Sequence, residues 1–154
     1  MNLSFLKQAI ELAAENVRRD GGPFGALVVK NGIVIATGTN QVTRANDPTA
    51  HAEIVAIREA CRVLGDFQLT GCDIYSSCEP CPMCLGAIYW ARPARLYYSA
   101  TQADAAAAGF DDATIYQQLD LPGSERSIPT FRVMEPDSAR PFAEWVNRAN
   151  RKTY

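Results

Sequence analysis

Apolar residues recur along this chain with two different periods. Between residues 3 and 19, Leu6, Ala9, Ile10, Ala13 and Val17 fall three and four positions apart, which predicts an amphipathic helix stopped by Gly21-Gly22-Pro23. The pattern then becomes strand-like: residues 24–30 and 33–37 flank Asn31-Gly32, the dipeptide best suited to a tight hairpin turn. A polar loop over 38–46 leads to a second helix. Asp47 or Thr49 would cap it, Pro48 suits its first turn, and it runs through Ile54, Val55, Ile57, Ala60, Cys61 and Leu64 to Gly65.

Residues 72–76 read as a short buried strand. Pro80 or Pro82 then opens a helix through Leu85, Ile88, Tyr89 and Trp90, closed by Pro93. A strand at 95–99 and an alanine-rich helix at 102–108 follow. Between 109 and 130 apolar residues thin out while Asp111, Asp112, Asp120, Pro122, Gly123 and Pro129 accumulate, so a long connection is expected. Loops beyond about 12–15 residues are uncommon in compact domains and tend to be functional or linking. A strand at 131–133 and a last helix near 137–150 complete the order. Strands alternating with helices predict an α/β layer architecture, with a mixed sheet because it opens on a hairpin. A chain of 154 residues fits one domain, 1–154, and no internal repeat is visible.

Composition narrows the partners. The net charge of −2 gives no general attraction to nucleic acid or anionic membrane, so neither is expected as a partner. The longest apolar run, residues 24–29, is far short of the roughly 20 residues of a membrane span. Lys7, Glu11 and Glu15 interrupt the N-terminal apolar residues, unlike a signal-peptide core. Three of the five cysteines crowd into residues 78–84, which suits metal binding in a reducing compartment better than a disulfide framework. A cytoplasmic location is the expectation.

The chemistry concentrates in two stretches, Asp47-Pro48-Thr49-Ala50-His51-Ala52-Glu53 and Ser77-Cys78-Glu79-Pro80-Cys81-Pro82-Met83-Cys84. His51 is the sole histidine, and Glu53 stands two residues after it. Cys81 and Cys84, three apart at a helix start, share one face, and the partial positive charge there favours thiolates. His51, Cys81 and Cys84 thus make a Cys₂His donor set, leaving a fourth zinc position for water. One difficulty is geometric: residues two apart on an ideal helix point roughly 200° away from each other, so His51 and Glu53 should diverge. Other readings stay open. Cys-x-x-Cys alone could be a redox pair, although that needs neither His51 nor Glu53. Cys78, Cys81 and Cys84 resemble part of an iron–sulfur run, but Ile88 stands where the fourth cysteine belongs. A closed Cys₄ zinc would recruit Cys72 or Cys78, and Cys61 fits helix packing.

His-x-Glu joined to Pro-Cys-x-x-Cys is the signature of zinc-dependent deaminases, and the chain resembles the cytidine-deaminase-like superfamily. Gly21-Gly22-Pro23-Phe24-Gly25-Ala26, Asn46 to Glu53, Ser77 to Pro93 and Ala108-Gly109-Phe110-Asp111-Asp112 extend the likeness over nearly the whole chain. They look like the small zinc-binding guanine deaminases of bacteria. That resemblance implies a three-layer αβα cytidine-deaminase-like fold with a central five-stranded mixed sheet. It implies one Zn²⁺ per subunit on His51, Cys81 and Cys84, and hydrolysis of guanine to xanthine and ammonia. Glu53 would move the proton, from water to a ring nitrogen and then to the leaving amine. Asn40 would hold the purine edge, Asp112 or Asp111 would bind the 2-amino group and assist its departure, and Phe24 and Trp90 would stack on the base. Tyr154 would cover the pocket. It further implies a homodimer in which the segment 109–154 is exchanged between subunits. Related activities with the same metal chemistry are a tRNA wobble-adenosine deaminase, a cytosine or cytidine deaminase, or action on amino-triazines. A noncatalytic zinc-stabilised interaction module is the reading from another class.

Overall fold

The computed structural model describes residues 2–153. The first helix, α1 (Leu3–Val17), is capped by the Asn2 side chain, which accepts from the Ser4 backbone N–H. The hairpin forms where Asn31-Gly32 requires it, joining β1 (Gly25–Lys30) to β2 (Ile33–Thr39). Then come a one-turn helix α2 (Val42–Ala45), α3 (Ala52–Leu64), β3 (Cys72–Cys78), α4 (Pro82–Ala91), β4 (Arg95–Ala100) and α5 (Gln102–Ala107). The strands form a mixed sheet in the order β2-β1-β3-β4, with β3 antiparallel to β1 and parallel to β4.

Side chains alternating along the strands feed two cores, one on each face of the sheet. Ala26, Val28, Ala36 and Ile74 meet Ala52, Ala56 and Ala60 of α3 and Ile88 and Ala91 of α4. Leu27, Val29 and Tyr75 meet Ala9 of α1 on the other face. The result is helix, sheet, helix, in three layers. The small residues of α3 let it lie close on β2. A Cβ on Gly38 would stand 2.1 Å from the Ala52 carbonyl oxygen, so no larger residue fits beneath the helix start.

Several expectations are corrected. The sheet has four strands rather than five, because residues 131–133 make no ladder: Phe131 and Val133 are 77% and 82% exposed, with no partner strand among the described residues. Helix α3 begins at Ala52 rather than near Asp47. The Asp47 carboxylate is instead spent on a local turn, accepting from the backbone N–H and the hydroxyl of Thr49. The connection 109–130 is not structureless, since it contains α6 (Ala113–Asp120) and a single 3₁₀ turn, Gly123–Glu125. The last helix, α7, covers only Arg140–Val146. By compactness the chain divides into residues 1–113 and 114–154. The first unit holds the whole sheet; the second is built from most of α6, the 3₁₀ turn and α7.

Candidate metal centre and catalytic site

Two helix starts deliver the site. His51 is the N-cap of α3 and Cys81 the N-cap of α4, with Pro82 at the first helical position, where its missing N–H costs nothing. Neither side chain makes the usual capping bond, and both point to the same place, beside Cys84. His51 Nδ1 lies 3.5 Å from the Sγ of Cys81 and 3.5 Å from that of Cys84. Tetrahedral zinc, with bonds of about 2.3 Å to sulfur and about 2.0–2.1 Å to nitrogen, separates such atoms by about 3.6 Å. The donor atoms fall within 4.8 Å of one another, and among the described residues this is the cluster with metal-holding geometry. The residues therefore fit a zinc ion. The Cys₄ and iron–sulfur readings lose their footing, because Cys72 and Cys78 lie outside the cluster, and a redox pair would leave the His51 ring beside both sulfurs without a role.

Electrostatics point the same way. The hydrogen bond from Cys84 and the neighbouring His51 draw the Cys81 thiol down to about 4. Cys84 goes the other way, because it shares a proton with Cys81, is buried, and faces the Glu53 carboxylate. One thiolate forms readily and the second is opposed, so a full pair calls for a cation between them. The His51 imidazole is held above its ordinary value, first by its bond to Cys81, against burial, and then by the charges of Cys81, Glu53 and Asp112.

The divergence expected of His51 and Glu53 does not arise. His51 has extended backbone (φ −69°, ψ 157°), outside the helix, so the 100° step per residue does not apply to it. Glu53 is in the first turn and only 5% exposed, and its Oε1 accepts a 2.7 Å hydrogen bond from Ser76 Oγ. Asn40, also buried, is next to Gln41, whose N–H bonds the Ala50 carbonyl, so Asn40 and His51 flank one loop-to-loop contact. Asn40 Oδ1 accepts from the Val42 N–H at 3.3 Å. Of the two candidate aspartates, Asp111 is exposed and accepts from the Ala113 N–H at the start of α6. Asp112 is half-buried, bonded by Gln102, and felt electrostatically at His51.

The aromatic expectations divide. Phe24 is half-buried and meets the Phe110 ring edge-on at 5.0 Å. Trp90 is 62% exposed and lies six residues past Cys84, about 9 Å along α4, so the structure does not bring it to the metal ligands. Tyr154 lies outside the described residues. An apolar cleft of about 500 Å³, lined by Ile10, Ala13, Phe24, Ala105 and Phe110 among others, contains none of the metal-holding side chains. Sequence reasoning missed Ser76 and Gln102. Ser76-Ser77 in the middle of a buried strand was a usable signal; nothing in the sequence distinguished Gln102.

The pattern of the cytidine and deoxycytidylate deaminase zinc-binding region matches residues 1–100. The guanine deaminase of Bacillus subtilis is 57% identical over 152 residues, covering 98% of this chain and 97% of that protein. Its X-ray structure superposes with a TM-score of 0.98 over 100% of this chain and 99% of that one. A guanine deaminase from Nitrosomonas europaea is 36% identical, with a TM-score of 0.68 over 70% of this chain and 63% of its own. The tRNA-specific adenosine deaminase of Agrobacterium fabrum is 48% identical over 96 residues, 62% of this chain and 63% of that protein. With the metal-holding donors and the fold in agreement, the chain belongs to the cytidine and deoxycytidylate deaminase zinc-binding family, on the side of its guanine deaminases.

Proposed function

We propose that this chain hydrolyses guanine to xanthine and ammonia, with Glu53 carrying the protons and Asn40 and Asp112 holding the base. The observation that carries it is the buried Glu53 carboxylate two residues after the metal-holding His51, with Asp112 near enough to act on the His51 charge. Glu53 comes from α3, and Asp112 comes from beyond the matched zinc-binding region. When bound, zinc acidifies water to near neutrality and so supplies the hydroxide nucleophile. Glu53 accepts the proton that water loses and passes it to the ring nitrogen beside C2; it then takes the proton of the hydroxyl added at C2 and delivers it to the departing amine, leaving the C2 carbonyl of xanthine. Ser76 holds one oxygen of Glu53, leaving the other for that transfer. With its oxygen on Val42, Asn40 keeps its amide N–H₂ to donate to a purine acceptor. The carboxylate of Asp112 accepts from the 2-amino group that leaves. Phe24 lines the base, Trp90 would reach it only through the arrangement of the complete enzyme, and Tyr154 covers the pocket.

A tRNA adenosine deaminase shares the metal chemistry, but the similarity to such enzymes covers only 62–65% of this chain. A net charge of −2 also suits a small base better than a polyanion. The zinc-loaded protein, offered guanine, adenine, cytosine and a tRNA anticodon stem, should release ammonia from guanine. Release from RNA and none from guanine overturns the assignment.

The finer organisation is part of the same proposal: one zinc per subunit, a cytoplasmic homodimer, and exchange between subunits of the part of 109–154 that lies beyond Asp112, since Asp112 is bonded by Gln102 of its own chain. Support for a covered C-terminal segment comes from Ile128, Phe131, Val133, Met134 and Phe142, all exposed in the lone chain. Five free cysteines suit a reducing compartment. No helix among the described residues is long and apolar enough to cross a membrane.

A further inference from the structure

We propose that Gln102 is a positioning residue for Asp112: its side-chain amide donates to Asp112 Oδ1 and aims that carboxylate, and Glu79 fixes Gln102 in turn. The inference rests on the reading above that Asp112 serves the reaction. It starts from the brevity of α5, six residues capped by reciprocal bonds between Thr101 and Asp104. Gly109, with φ of 91°, turns the chain back, and the Phe110 N–H bonds the Ala105 carbonyl. The Phe110 ring then rests on Phe24. The returning segment therefore runs alongside α5 and brings Asp112 level with Gln102, the first residue of that helix.

Gln102 is itself held. Its backbone N–H donates to Glu79 Oε2 at 3.2 Å, and the Glu79 N–H donates to the Ala100 carbonyl at 2.9 Å. Glu79 stands two residues before Cys81, so a continuous line of hydrogen bonds runs from the metal-holding segment to Asp112. An amide N–H satisfies one carboxylate oxygen without adding charge. Oδ2 of Asp112 accepts no hydrogen bond among the described residues and stays available to an incoming amine. Asparagine at 102 would be one methylene too short to make this bond. Glutamate would place a second acceptor, and a like charge, against Asp112.

The test is a double-mutant cycle on guanine turnover, with zinc content and melting temperature measured alongside. Gln102→Ala should lower kcat/KM roughly tenfold with zinc content unchanged, and Gln102→Asn should not rescue it. Gln102→Glu, which keeps the size, should lose at least as much. In an Asp112→Ala background the Gln102→Ala change should cost almost nothing more, because the group it positions is gone. Full activity of Gln102→Ala beside an impaired Asp112→Ala overturns this inference alone. So does an equal loss in both backgrounds, which would mark a merely structural role. Full activity of Asp112→Ala overturns the reading of Asp112 beneath it.

Discussion

Ser76 Oγ donates a 2.7 Å hydrogen bond to Glu53 Oε1, and both residues are buried. The strand alternation sets this up. Ser76 shares the α3-facing side of β3 with Ile74, while Ser77 faces the other way and accepts from the Gly25 N–H at 3.0 Å. A buried carboxylate bound on one side has a fixed direction for the lone pair on the other. Proton transfer depends on that direction.

Ser76→Ala should therefore reduce kcat while leaving KM nearly unchanged, and should lower folding stability by about 1.5–3 kcal/mol, the usual worth of a hydrogen bond to a charged group. Steady-state kinetics and denaturant unfolding check the two halves. A wild-type kcat in this variant would show that Ser76 does not orient Glu53.

Glu53→Gln keeps the shape and the bond from Ser76 but removes the proton acceptor. Turnover should fall roughly 10²–10⁴-fold, the usual worth of general acid–base catalysis, with zinc retained. Metal analysis and guanine kinetics on the same sample decide it, and unchanged turnover refutes the shuttle role.

Asn40 offers the base its amide N–H₂ while its oxygen serves Val42. Asn40→Asp keeps the acceptor and loses the donor, so guanine kcat/KM should fall by roughly tenfold or more. An unaffected Asn40→Asp enzyme would remove Asn40 from substrate recognition.

What the sequence disclosed and what it hid follow from the range of the interactions. The hairpin, α1 and α4 rest on local chemistry: Asn31-Gly32, a 3.6-residue period, Pro82 at a helix start. Each appears where expected. Cys81 and Cys84 were legible as a pair because three-residue spacing is itself geometry. The start of α3 was misplaced because two local uses competed for Asp47, and the turn with Thr49 won. The expected fifth strand at 131–133 has strand-like residues but no neighbour, and strand pairing is not encoded locally. Gln102 was invisible because its partner arrives ten residues later by a chain reversal, and no composition marks such a meeting.

Acid should weaken the fold through two surface carboxylates. Hydrogen bonds from Thr49 to Asp47, and from Thr101 to Asp104, hold both below the ordinary value of 3.8. A depressed folded-state value means that the unfolded chain binds the proton more readily, so stability is present above 3.8 and is lost as pH falls through the lower folded value. Asp104→Asn should lower the melting temperature at pH 7, and the gap to wild type should close as pH falls below 3.8 and through the lower folded-state value. A gap that stays constant across that range would contradict the linkage.

The most direct measurement of the account is zinc content against activity in purified protein. One zinc per chain should accompany full activity, and Cys84→Ser should lose metal and turnover together while Cys61→Ser keeps both. Fully active protein without zinc, or zinc retained at full occupancy after His51, Cys81 and Cys84 are all replaced, would contradict it.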